Sequence, residues 1–110
     1  MTSKTTDNSP IYRILFINQD ELYEMYARHV YQSDLWGFIQ VEAFVFGNRS
    51  ELLVDPGEEK LKQEFADVKC SYIPMQSIVR IDEVKREGVS KVAKAKAVVT
   101  PLPPTQGPKP

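Results

Sequence analysis

The sequence predicts a mainly β chain: a small five-stranded antiparallel barrel with one inserted helix and disordered termini. Three observations carry this expectation. Residues 71–84 read as a short strand, a single tight turn begun by Pro74, and a second strand. Short runs rich in β-branched and aromatic residues recur along the chain, with turn residues between them. One helix start stands out, Asp55-Pro56-Gly57-Glu58. Asp55 is a good N-cap, Pro56 suits the first helical position, and Glu58 lies where a capping box places its acid.

Size and charge bound the rest. The 110 residues have room for one domain. Residues 1–9 are polar and expected to be disordered, 10–88 form the β domain, and 89–110 make a flexible Lys/Pro-rich tail. A body of that size buries only about 60–65% of the surface its unfolded chain exposes, so each core residue matters. The single cysteine, Cys70, allows no intramolecular disulfide, which suits a reducing cytoplasm. No apolar run approaches the roughly 18–20 residues of a membrane span. The first ten residues lack the apolar stretch of a secretory signal, so none is expected. The net charge of −1 hides an asymmetry. Residues 10–90 carry nine Lys/Arg against fourteen Asp/Glu, whereas residues 91–110 carry four lysines and no acid. An acidic body repels a phosphate backbone, which weighs against generic nucleic-acid binding by the body.

The elements follow in order. Ile11 to Ile17 is β-branched and aromatic and too short for an ordinary helix, so it reads as a strand. Asn18-Gln19-Asp20-Glu21 is a hairpin turn signal. Leu22–Tyr31 mixes helix formers with three tyrosines, and Leu22, Tyr26 and Val30 would also fit a helical stripe. The short turn before it wants an antiparallel partner, and strand is the expectation. Leu35–Phe46 reads as a long, bent strand with Gly37 at a bulge. Its residues Ile39, Val41, Ala43 and Val45 are uniformly apolar and should face the core. Residues 47–50 read as a turn and 52–54 as a possible short strand. The helix should run from Pro56 to about Ala66, docked by Leu61 and Phe65 one turn apart. Cys70–Ile73, a 3₁₀-like turn over Pro74–Ser77, and Ile78–Val84 close the body.

Few residues offer chemistry. His29 is the sole histidine, and with Cys70 and scattered acids it makes no metal-ligand spacing. Capping accounts for Asp55 and Glu58. No Gly-rich loop cradles phosphate. The PxxP match at Pro101–Pro104 is nearly free in so proline-rich a stretch. The aromatics are more telling. Tyr12, Tyr23, Tyr31, Trp36 and Phe38 cannot all fit inside so small a body, so some should lie on the surface. Tyr23, Tyr31, Trp36 and Phe38, with Arg28 and Arg80 beside them, form the expected contact surface.

Two resemblances add to this reading. Val30-Tyr31-Gln32-Ser33-Asp34-Leu35-Trp36-Gly37-Phe38, Val45-Phe46-Gly47, Val54-Asp55-Pro56, Ser71–Met75 and Arg80–Val84 resemble a family of short proteobacterial proteins, domain-of-unknown-function family 1820. That likeness covers about residues 10–88 and implies no activity. The strand–turn–strand from Tyr72 to Val84 resembles SH3-like and Sm-like barrels. It departs from them in placing the helix between inner strands and Gln76-Ser77 in the closing turn, so uridine-pocket chemistry does not transfer. The sequence thus points to a non-enzymatic, cytoplasmic binding or regulatory module with an aromatic-rich face, and no cofactor, metal, small-molecule substrate or membrane partner. The expected partner is a protein or a second copy of the chain. An RNA-binding Sm-like protein is the alternative, with aromatics stacking bases.

Overall fold

The computed structural model describes residues 9–47 and 55–95. Expectations for residues 1–8, for the turn and short strand within 48–54, and for the tail and PxxP match beyond 95 lie outside the described residues.

Among the described residues the chain is mainly β with one α-helix. Its strands are β1 (Ile11–Asn18), β2 (Glu21–Gln32), β3 (Phe38–Phe44), β4 (Cys70–Pro74), β5 (Ile78–Val84) and β6 (Lys91–Lys94). The helix, α1 (Pro56–Glu64), lies between β3 and β4, and a one-turn 3₁₀ segment (Met75–Ser77) joins β4 to β5. All pairings are antiparallel, in the order β4-β3-β2-β1-β5, with β6 added to the first half of β2. Among the described residues the sheet therefore has six strands, not the five expected, and it does not close. Its end strands, β4 and β5, are not paired with each other and are joined by the 3₁₀ turn. The sixth strand falls within the stretch read as tail. There Lys91 and Lys94 sit opposite Glu24 and Glu21, a pairing that register creates and local sequence does not announce.

Local chemistry explains most boundaries. Leu22–Tyr31 is strand, because Asn18 and Glu21 pair across a two-residue loop. Gln19 and Asp20 both take positive φ, 51° and 66°, the form that matches the twist of a hairpin. α1 begins as expected: the Asp55 carboxylate accepts from the N–H groups of Gly57 and Glu58. It ends at Glu64, two residues short of Ala66.

The core cluster joins Ile14, Phe16, Tyr23, Met25, Ala27 and Val41 with Leu61 of α1 and Ile73 of β4. Phe65 packs on this cluster and lies 4.9 Å, ring to ring, from Phe44. Phe44 and Phe46, not Ala43, turn inward at the end of β3. The cause is Ala43 itself, whose φ of +57° breaks the two-residue alternation and leaves its methyl exposed. Residues 35–37, expected to begin β3, form a turn instead, with Gly37 at φ +84°.

Glu58 corrects a second expectation. It does not reach back to close a capping box. It is buried, and its Oε2 accepts from the N–H of Gly47 at 3.3 Å and of Ser90 at 3.1 Å. One carboxylate thus ties the end of β3, the first turn of α1 and the segment leading into β6.

Candidate contact face

β2, β3 and β4 lie side by side, and their register sets which outward side chains meet. His29, Glu42 and Cys70 form one cross-strand row. Tyr31, Gln40 and Tyr72 form the next, and Phe38 faces Pro74 in the third. The opposite faces of these strands carry Val30, Ile39, Val41 and Ile73 into the core.

Hydrogen bonds fix the middle of this grid. Gln40 Nε2 donates to Glu42 Oε2 at 2.8 Å and to the Tyr31 hydroxyl oxygen at 3.0 Å. Tyr31 in turn donates to the same Glu42 oxygen at 2.9 Å. His29 Nδ1 lies 4.0 Å from the other carboxylate oxygen. The bonds from Gln40 and Tyr31 hold the Glu42 carboxyl below its usual value, and the bond to Glu42 pushes the Tyr31 phenol up. The Tyr72 phenol is also raised, chiefly by its contact with Cys70. With Glu42 charged and satisfied, this network orients the Tyr31 ring, and Tyr31 and Tyr72 both stand half exposed, each at 47%.

The face ends in an apolar tip. The Ser33 hydroxyl oxygen accepts from Leu35 N–H, Ser33 N–H donates to Phe38 O, and Phe38 N–H donates back to Leu35 O. Met75 N–H donates to Gly37 O at 2.8 Å, which locks this turn to the β4–β5 joint. Trp36 projects from it with 93% of its surface exposed, next to half-exposed Leu35 and Met75. An exposed indole on a loop held at both ends is pre-organised for contact.

The structure brings together Tyr31, Trp36 and Phe38 of the expected surface. Arg28 adjoins them: it shares a shallow cleft with Tyr12 and Tyr31, and its Nη1 donates to the Ser9 carbonyl at 2.8 Å. Tyr23 does not belong. It is buried, stacked on Phe16 at 5.0 Å, because the first half of β2 turns its odd residues inward. Arg80 does not belong either. It lies on β5, at the other end of the strand path, clasping Asp82 with Nε at 3.0 Å and Nη2 at 3.1 Å. Sequence reasoning missed Tyr72, Gln40, Glu42 and Met75. The alternation of Phe38, Gln40 and Glu42 was a signal for two of them; Tyr72 and Met75 join only through strand pairing.

Among the described residues, no group of three or more His, Cys, Asp or Glu side chains is placed to hold a metal ion. No described helix is long and apolar enough to cross a membrane.

Fold and face together define a small antiparallel β protein with a helix docked on one side and an open polar–aromatic face on the other. The chain matches the family model described as domain of unknown function DUF1820 over residues 10–104, and it belongs to that family. No curated protein and no solved structure matches it.

Proposed function

We propose that the chain is a non-enzymatic binding or regulatory module of the cytoplasm, which engages another protein through the β2–β3–β4 face. The observation that carries this reading is Trp36, 93% exposed on a turn pinned by four hydrogen bonds. Solvated indole is the residue type most enriched among binding hot spots, and its rigid support lowers the ordering cost of association. Tyr31, Tyr72 and Met75 extend the contact around it. The strand order, with a one-turn joint between the end strands, supports an SH3/Sm-type body left partly open. Self-association through the same tip belongs to this reading.

Capture from the native cell with the full chain tests it. A protein retained by the wild type and lost with Trp36→Ala is the expected result; identical recovery by both contradicts it. Because the indole touches little, the substitution should change stability by only about ±0.5 kcal/mol, so loss of binding is not loss of fold.

RNA binding is the second reading. The specific observation in its favour is the pair of half-exposed phenol rings, Tyr31 and Tyr72, flanking Gln40. The acidic balance of residues 10–90 counts against it. Titration with single-stranded RNA at two salt concentrations decides: no binding at low salt removes this reading.

A further inference from the structure

Among the described residues, three strands pair on one side only: β4, β5 and β6. Open edges invite further pairing, and two of these are guarded by charge. β5 carries a register shift opposite Leu15/Phe16 and the charges of Arg80, Asp82 and Glu83. β6 is four residues long with lysine at both ends. β4, Cys-Ser-Tyr-Ile-Pro, carries no charge, and its guard is Pro74 at its last position.

A cleft of about 340 Å³ lies against that uncharged edge. Four consecutive residues of β4, Ser71 to Pro74, line it. Alternate side chains of a strand point to opposite faces, so a cavity touching four in a row lies along the edge, where the unpaired N–H and C=O groups are. The opposite wall is Phe16, Ile17 and Asn18 of β1. Pairing of β1 with β5 stops at Phe16, so Ile17 and Asn18 have no β5 neighbour. The seam where the sheet fails to close therefore runs between the outer edge of β4 and the end of β1 beyond its pairing with β5. Phe65 and Ser77 complete the wall, and Glu64, whose Oε2 also accepts from the Tyr23 hydroxyl at 3.5 Å, brings a carboxylate with no lysine or arginine among the described lining residues.

The geometry points to this seam as a β-augmentation site for an extended, aliphatic segment of a partner polypeptide that carries a lysine or arginine. Main-chain bonds to the β4 edge hold the segment, its aliphatic side chains meet Phe16, Phe65 and Ile73, and its cation meets Glu64. The site shares Tyr72 and Pro74 with the border of the Trp36 face but lies along the β4 edge, and it goes beyond the function proposed for that face.

The test is backbone amide hydrogen exchange on the full chain, with two acetylated, amidated hexapeptides as probes: alternating lysine and valine, and alternating glutamate and valine. The lysine peptide should slow exchange at Ser71–Ile73 amides that are open in the free chain by tenfold or more, with β5 amides unchanged. Glu64→Lys, at an exposed position, should weaken that peptide about 2–5-fold, the range of a surface ion pair. Trp36→Ala should leave the protection intact; its loss would move the contact to the other face and overturn the inference. Equal binding of the glutamate peptide, or no change at β4, also overturns it. So does protection of β4 in the free chain: rising with concentration it means a second copy, and independent of concentration it means an occupant within the chain.

Discussion

Tyr26 and Tyr31 lie five residues apart on one strand, yet one is 6% exposed and the other 47%. The difference is what lies over each half of the sheet. Over β5, β1 and the first half of β2, the outward row Asp82–Arg13–Tyr26 is tied together and covered at Tyr26, while the Arg13 and Asp82 side chains stay partly exposed. Arg13 Nη2 donates to Asp82 at 2.6 Å, Tyr26 donates to Glu24 at 3.1 Å, and Gly88 sits directly on the Tyr26 ring. Over the second half of β2, β3 and β4 no described segment lies, and the rows Tyr31–Gln40–Tyr72 and His29–Glu42–Cys70 remain open. A polar–aromatic row becomes structure where chain crosses it and becomes contact surface where none does.

The largest expected effect comes from removing what pins the cover. Glu58→Ala strips the acceptor from the Gly47 and Ser90 N–H groups, and should cost about 2–3 kcal/mol in denaturant unfolding. Hydrogen exchange should rise first around Ser90 and β6, with the open face unaffected. Next, Gly88→Ala would place a Cβ 2.6 Å from the Tyr26 hydroxyl oxygen and 3.1 Å from its Cζ. The ring is buried and stiff, so the cover must lift, at about 1–3 kcal/mol. Gly88→Ala with Tyr26→Phe should recover part of that loss; no recovery would separate Gly88 from the ring.

A smaller and opposite effect is expected at Ala43, where β3 crosses from the open face to the helix side. An L-residue with left-handed backbone costs about 1–2 kcal/mol, and glycine adds back about 0.4–1 kcal/mol of unfolded-state entropy. Ala43→Gly should therefore stabilise the chain by up to about 1 kcal/mol in thermal or denaturant unfolding.

The smallest effect is in alkali. Burial, followed by the contact with Glu24, raises the Tyr26 phenol, and burial also raises Tyr23. A raised folded value means the unfolded chain releases its proton first. The contribution is whole below the ordinary tyrosine value near 10 and falls away as pH rises through the folded one. Tyr26→Phe should flatten the stability–pH slope above about pH 10. Tyr31 is also raised, through Glu42, so Tyr31→Phe marks the open half. Being exposed, it should flatten the slope less than Tyr26→Phe does.

Much of this fold was legible in the sequence, because β1, its hairpin turn, the start of α1 and the closing strand–turn–strand all rest on local chemistry. What was not legible depends on register. Tyr23, Met25 and Ala27 point inward from β2, but so does Val30, while His29 and Tyr31 point out. The parity changes opposite Ala43, and nothing in Ala-Arg-His-Val announces it. That shift is why Tyr23 read as surface and is core. β6 was missed for a related reason: its lysines find partners only once they stand across from Glu21 and Glu24. Glu58 fits a capping box in sequence, and only the approach of Gly47 and Ser90 gives it another task.

Chemical footprinting of the aromatic side chains in the native full chain tests the division most directly. Tyrosine nitration and tryptophan oxidation, read residue by residue, should modify Trp36, Tyr31 and Tyr72 readily and leave Tyr23 and Tyr26 untouched until the chain unfolds. Comparable labelling of all five, or protection of Trp36 together with Tyr31, would contradict the open face and the function proposed for it.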